Sequence, residues 1–311
     1  MLLKDDLTAN QTFGFLRVNF DLYQRVLIEV GTSVNFYHYQ YSSYFPTVTT
    51  QKQKTFANQL MPKVALSYLL NSSLSVRGTV SKGYSPPTLA EVRASDQLIN
   101  INLQPEYGWN YELGARLKTH SNRFYANVNA FSYRLKDAIV RRVNSNDTEY
   151  FVNAGGTKQQ GVEIEGTGWL IPYRLLIRSS YTYSKFSFKD FANAANDYSG
   201  NKLTGVPDHF LVSSAEVRFA KNAFLFAQHS YTSSIPLNDA NTVDAKSFHL
   251  TELKTGLRNL KVAKTKGELF LGANNLFNAT YSLGNDLNAA NGRYFNAAAK
   301  INYYFGIGIE F

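Results

Sequence analysis

The sequence contains no cysteine. That removes thiolate metal sites and a disulfide scaffold, while fixing the compartment only weakly. It also lacks an apolar run of the roughly 20 residues that a membrane-crossing helix needs, although 44% of its 311 residues are hydrophobic. A helical membrane protein is disfavoured by this, but a β-barrel is not, because alternation dilutes a barrel's apolar residues. Tryptophan is scarce, with 2 residues against 21 Tyr and 22 Phe. That aromatic bias suits strands and the girdles at a membrane interface. The net charge is +9, yet Lys and Arg are scattered among acids, with no dense basic block interleaved with stacking aromatics. A solvated surface or a barrel lumen explains such charge better than a nucleic-acid partner does. The amino end, MLLKDDLTAN, carries no apolar core followed by a small-residue cleavage site. An exported barrel needs such a signal, so either the chain is a piece of something longer or an export reading fails. The length itself allows two or three soluble domains or one large barrel.

What is present is organised by the last stretch, GRYFNAAAKINYYFGIGIEF. From Ile301 every second residue is apolar: Ile301, Tyr303, Phe305, Ile307, Ile309 and Phe311. Successive side chains of a strand point to opposite faces, so this stretch predicts one strand with an apolar face and a small or polar face. Its length suits a tilted membrane crossing of about 9 to 11 residues; the alternative is a long edge strand of a soluble sheet. The same alternation recurs along the chain. It predicts strands over Thr12–Asp21, Arg25–Tyr41, Val64–Leu70, Leu74–Ser81, Tyr111–Lys118, Phe124–Ala130, Val162–Glu165, Leu175–Thr182 and Ser214–Phe219. Ala223–Ile235, Phe248–Leu260 and Glu268–Ser282 follow with less regular alternation, most of all around Leu269, Phe270 and Leu271. Ser42 to Asn58 reads as a polar connection.

Tight reversals fall near positions 23, 71, 121, 171 and 221, about fifty residues apart, and the connections between them run to a dozen residues or more. Short turns at one end and long loops at the other are the plan of an outer-membrane barrel. A soluble sandwich has turn signals about every 8 to 12 residues. The expected fold is therefore all-β: a transmembrane antiparallel β-barrel with about thirteen strands in this chain. Bacterial single-chain barrels use an even number, so an odd count with a periplasmic carboxy terminus implies a chain that begins in mid-barrel.

Several segments resemble the carboxy-terminal barrel of TonB-dependent outer-membrane receptors. Gly83-Tyr-Ser-Pro-Pro-Thr-Leu-Ala-Glu91 is similar to that family's Gly-Phe-Arg-x-Pro-x-Leu-x-Glu segment, departing from it at Tyr84 and Ser85. Leu103-Gln-Pro-Glu106, Tyr111-Glu-Leu-Gly114, Asn153-Ala-Gly155, Gly161-Val-Glu163 and Gly205-Val-Pro-Asp-His209 resemble further landmarks in family order. Asn274-Asn-Leu-Phe-Asn278 with Tyr281 resembles an Asn-Leu-Phe-Asp-x-x-Tyr hallmark, with Asn278 in place of Asp. The resemblance implies residues 1–311 as the carboxy-terminal, incomplete part of a 22-stranded barrel, about its last 13 strands, with the plug domain and TonB box absent. It implies the bacterial outer membrane, no enzymatic activity and no cofactor. The implied partners are TonB through the missing amino-terminal region, outer-membrane lipid and lipopolysaccharide, the barrel-assembly machinery and a small-molecule substrate. Tyr303, Phe305, Ile307, Ile309 and Phe311 correspond to the membrane-insertion signal.

The candidate site residues weigh as follows. Arg141 and Arg142 approach one long connection, and Tyr39, Tyr41, Tyr44 and Phe45 cluster near another. Arginine and aromatic groups suit a planar, anionic iron chelate. They suit lipopolysaccharide or the aromatic girdle equally, and rim residues of this type are common. His38, His120, His209, His229 and His249 show no metal-ligand spacing, and Glu163 with Glu165 read as a hydrated face paired with bases rather than as acid/base carboxylates. Gly155-Gly-Thr-Lys158 lacks the spacing of a phosphate loop. The sequence thus points to TonB-dependent uptake of a scarce nutrient, a ferric siderophore or other iron complex. A glycan-importing receptor of the same architecture, a passive porin and a soluble lectin-like β protein are the alternatives.

Overall fold

In the computed structural model the chain is described over residues 4–45, 48–96, 98–144, 146, 148–153, 155–193, 196–262 and 265–310. Phe311, the last residue of the expected insertion signal, lies outside them. Thirteen strands form one continuous antiparallel meander in chain order. They are β1 (Lys4–Leu22), β2 (Val26–Phe45), β3 (Gln59–Leu69), β4 (Leu74–Ser85), β5 (Glu106–Lys118), β6 (Phe124–Lys136) and β7 (Gly156–Ile171), then β8 (Leu175–Lys189), β9 (His209–Arg218), β10 (Ala223–Thr232), β11 (Phe248–Val262), β12 (Thr265–Asn274) and β13 (Asn302–Glu310). A fourteenth strand, Thr49–Thr55, folds back onto β2. Among the described residues no pairing joins β1 to β13, so the sheet has two free edges.

The connections alternate strictly. Those after β1, β3, β5, β7, β9 and β11 are short, and those after β2, β4, β6, β8, β10 and β12 are long. The sharpest short turn is Leu22–Arg25, closed by Arg25 N–H to the Leu22 carbonyl at 3.1 Å, with Tyr23 and Gln24 both left-handed at φ 54 and 56. Positive φ at both central residues matches the right-handed twist of the flanking strands. A sixth short connection, where Val262 pairs with Thr265, adds to the five read from the sequence.

Cross-strand register sorts the side chains into two faces. Val18, Val30, Val64, Val80 and Tyr111 lie opposite one another in one row, as do Leu113, Ala130 and Val162, then Val128, Ile164, Tyr181 and Leu211. Much of this face stands in the open: Leu113 in these rows is 67% exposed, and Leu271 and Ile307 on later strands are 61% and 69% exposed. Soluble monomers rarely expose contiguous apolar surface beyond a few hundred Å², so this face requires an apolar environment. We call it outward.

The inward face is charged and internally paired. Lys63 meets Glu29 at 2.8 Å, Arg218 and Arg258 hold Glu216 at 2.8 and 3.1 Å, and Arg258 reaches Glu268 at 3.2 Å. A cavity of about 470 Å³ on this face is lined by Arg77, Glu112, Arg116, Asn127, Asn129 and Glu163 among others. Glu165 accepts a hydrogen bond from the Tyr125 hydroxyl at 2.8 Å. Glu163 therefore lines a cavity with arginines, and Glu165 sits beside a hydroxyl.

Three expectations need correction. Ser42 to Asn58 is not a plain connection, because β2 continues to Phe45 and Thr49–Thr55 pairs with it. Glu268 to Ser282 is not one strand: β12 ends at Asn274, where Asn275 and Asn278 turn the chain at φ 50 and 55. Likewise β10 ends at Thr232, and Ile235–Pro236 pairs separately with Asp244–Ala245.

Candidate ligand-binding rim

All long connections gather at one end of the sheet, and their backbones are fastened by polar side chains. Asn153 is the first fastener. Its amide donates to the carbonyls of Gln104 at 2.9 Å and Asp137 at 2.6 Å, while its oxygen accepts the Gln104 N–H at 2.8 Å. The β4–β5 loop is thereby tied to the β6–β7 loop, and the Glu106 carboxylate adds the Ile139 N–H at 2.6 Å. Gly155 follows at φ 44, where an added Cβ would lie 1.9 Å from the Asp190 carbonyl oxygen, so only glycine fits. In the β4–β5 loop Thr88 and Glu91 cap the single turn Leu89–Val92 reciprocally, and Tyr37 donates to the Pro87 carbonyl at 3.0 Å. Asn275 closes the β12–β13 loop through Ala279 and Ala299.

The hairpin Ile139–Val143 with Glu149–Asn153 stands at the centre of the rim. Its Ile139 and Phe151 pack on a buried cluster of Tyr37, Tyr39, Phe56, Val92 and Leu103, which Tyr41 also touches. Its other side meets Phe188 and Phe191 through Val140. Arg142 is 9% exposed, lies 4.5 Å over the Phe191 ring and pairs with Asp239. Asp239, 5% exposed, also accepts from Thr204 at 2.5 Å and from Asn288 at 3.2 Å. One buried pair thus joins the four loops after β6, β8, β10 and β12. Burial pulls the Arg142 guanidinium below its ordinary value, and the nearby Tyr150 and Tyr198 hydroxyls oppose that more weakly.

The residues singled out in the sequence divide accordingly. Arg142 is consumed by Asp239. Arg141 is half-exposed and held by Glu149 at 2.5 Å, leaving part of its guanidinium open to solvent. Tyr41 is half-buried against the aromatic cluster, whereas Tyr44 and Phe45 are 52% and 45% exposed and Tyr44 lies 5.6 Å from the Lys4 ammonium. Tyr41 and the arginine hairpin share a core; among the described residues no contact brings Tyr44 or Phe45 to Arg141. Asp239, Thr204 and Asn288 were missed, since isolated polar residues in Asn-rich loops carry no pattern. Among the described residues no group of three or more His, Asp or Glu side chains could hold a metal ion. His209 instead bonds the Tyr181 hydroxyl at 2.8 Å, and His229 meets His249 at 3.1 Å.

Such a rim offers cationic and aromatic contacts to an anionic ligand from loops held in place in advance. The "Ferric-pyoverdine M114 receptor PbuA" of Pseudomonas sp. (strain M114) is 24% identical over 286 residues, covering 89% of this chain and 33% of that protein. The siderophore receptor PiuA from Acinetobacter baumannii superposes with TM-score 0.78 at 16% identity, over 97% of this chain and 43% of that one. The ferric citrate transporter FecA in its unliganded form gives TM-score 0.80 at 16% identity, over 99% of this chain and 46% of that one. The chain therefore spans about a third of this curated relative and under half of these solved structures. Residues 3–276 match the family model "TonB dependent receptor-like, beta-barrel", and with thirteen meandering strands, an apolar outer face and loops fastened at one end, the chain belongs to that family of receptors.

Proposed function

We propose that residues 1–311 form the carboxy-terminal part of an outer-membrane receptor barrel that imports a ferric siderophore or related anionic iron complex with energy from TonB. The observation that carries this reading is the asymmetry of the sheet: apolar outward, ion-paired inward, with prefastened loops at one rim only. Two free edges and the partial span of the relatives favour further strands and a plug from elsewhere in the same receptor. The relative described as a ferric-pyoverdine receptor favours iron cargo over glycan. In this reading Arg141, Tyr41, Tyr44 and Phe45 contact the cargo or its approach, and Arg142 holds the loops that present them. The membrane-insertion role of Tyr303, Phe305, Ile307 and Ile309 matches their exposure at the free edge, where the barrel-assembly machinery would engage them.

The test is equilibrium binding of ferric pyoverdine-type and ferric citrate-type complexes to the full receptor in detergent, with Arg141→Ala beside wild type. Micromolar or tighter binding of at least one ferric complex, weakened about tenfold by Arg141→Ala through loss of a charged contact, is expected. Saturable binding of a neutral oligosaccharide, with no ferric complex bound, would turn the assignment to a glycan receptor.

A further inference from the structure

The outward face holds a pair of imidazoles that the chain order conceals. His229 and His249 are 20 residues apart and fit no metal-binding spacing in the sequence. Register brings them together on neighbouring strands. Tyr181 faces Leu211, Leu211 faces Tyr231 and Tyr231 faces His249, while His229 faces Thr251 one step below. The pair lies at the long-loop end of this face, near the end of β10 and the start of β11. His229 Nε2 is 3.1 Å from His249 Nδ1, and the rings lie 5.2 Å apart, 24° from parallel.

Each ring is held by a neighbour. His229 Nδ1 is 3.0 Å from the Thr251 hydroxyl, and the Tyr231 ring stacks on His249 with centroids 4.6 Å apart. With its proton on Nδ1 and donated to Thr251, His229 keeps a lone pair on Nε2, toward His249. Metal-ligating histidines are oriented in this way, by a hydrogen bond from the second ring nitrogen. The neighbours in register on this face, Leu211, Ser213, Ala227 and Leu253, carry no charge, and His249 is exposed. At metal–nitrogen bonds of about 2.05 Å, nitrogens 3.1 Å apart subtend roughly 98° at a shared ion, between the octahedral and tetrahedral angles. We infer that His229 and His249 chelate a late first-row divalent ion, Cu²⁺ or Zn²⁺, with water in its remaining positions. Rotation of the rings about their Cβ–Cγ bonds aims both lone pairs at the ion. The ion takes the place of the proton between the two nitrogens, and His249 carries that proton on Nε2 instead. Imidazole suits these metals, whereas Mg²⁺ and Ca²⁺ take oxygen ligands. Bridging β10 to β11 at the base of the 233–247 loop, the ion clamps the two strands between which Asp239 is presented.

The test uses the untagged full receptor in detergent, stripped of metal, titrated with Cu²⁺ and followed by electron paramagnetic resonance. Wild type should bind one ion that His249→Gln does not, with a signal split by two nitrogens. His229→Gln and His249→Gln should each weaken this binding about 100-fold or more, because chelation becomes attachment at one point. Thr251→Val should weaken it about tenfold by freeing the His229 ring. His209→Gln, whose ring bonds Tyr181 instead, should leave it unchanged, and Mg²⁺ should not compete. With Cu²⁺ a hundredfold above its Kd, amide exchange at the facing ends of β10 and β11 should slow about 100-fold in wild type and not in His249→Gln. Wild-type affinity in either single-histidine variant, coupling to one nitrogen only, or an equal loss in His209→Gln would each overturn the site. The nitrogen coupling is read on wild type alone and does not depend on how the variants fold.

Discussion

Replacing Asp239 with Ala leaves the Arg142 guanidinium without its counter-ion in a site where Arg142 is 9% exposed, and removes the acceptor used by Thr204 and Asn288. Breaking a buried pair from one side costs about 3–5 kcal/mol, because the remaining charge is uncompensated. The Arg142 cation can escape by swinging out with its hairpin, so the loss should appear as local opening of the rim. At 1.36 kcal/mol per decade, this corresponds to an opening equilibrium raised about 10² to 5 × 10³-fold. Amide hydrogen exchange resolved by mass spectrometry is the assay. Exchange should accelerate in the peptides containing Ile139–Val143, Asn201–Thr204 and Asn288, which lie on three other loops, while β6 and β7 amides keep wild-type protection. The double variant Arg142→Met/Asp239→Leu should recover most of the protection, since apolar replacements of a buried pair are often neutral. Acceleration confined to the Asp239 loop, or a double variant as open as the single one, would refute the idea that one pair holds four loops.

Other expectations follow from single contacts. Gly155→Ala should destabilise the folded protein by at least about 1–3 kcal/mol from the left-handed backbone alone, and by more from the clash with the Asp190 carbonyl, as urea titration would read. Asn153→Ala removes three hydrogen bonds worth about 0.5–1.5 kcal/mol each, so limited proteolysis should cut the 86–105 and 144–155 loops sooner than in wild type. The isolated chain, with one edge of β1 and one of β13 free among the described residues, should associate through those edges; light scattering that finds a stable monomer in detergent would oppose this.

The strands were legible because apolar and polar residues alternate wherever one face meets an apolar medium and the other water. The places where the pattern failed have physical causes. Thr49–Thr55 is polar on both sides, so hydropathy cannot mark it; its threonines were the only hint. In Leu269-Phe270-Leu271 the outer pair faces outward, but Phe270 is also apolar and turns inward. There its ring covers Gly306, whose added Cβ would lie 2.3 Å from it, and the Lys254 ammonium lies 3.6 Å from its centroid. Phe224 does the same beneath Arg258, 3.7 Å from the guanidinium. Inward aromatics packed on glycines and under cations erase alternation without breaking the strand. The rim was less legible, because Asn153, Asp239 and Asn288 act across loops 35 to 49 residues apart in the chain. Arg141 and Arg142 read alike in sequence, and only the fold divides them between solvent and a buried acid.

The central claim is the direction in which each face looks, and neighbouring residues on β6 test it. Val128 is 42% exposed on the outward face, whereas Asn127 lines the inward cavity. Four residues above the start of β6, at about 3.3 Å per residue and a tilt near 40°, Val128 lies about 10 Å into an apolar band about 25 Å tall. In reversible unfolding from lipid bilayers, Val128→Arg should therefore lose about 2–4 kcal/mol and Asn127→Arg close to none. Equal losses at the two positions, or a greater loss at Asn127, would contradict the account.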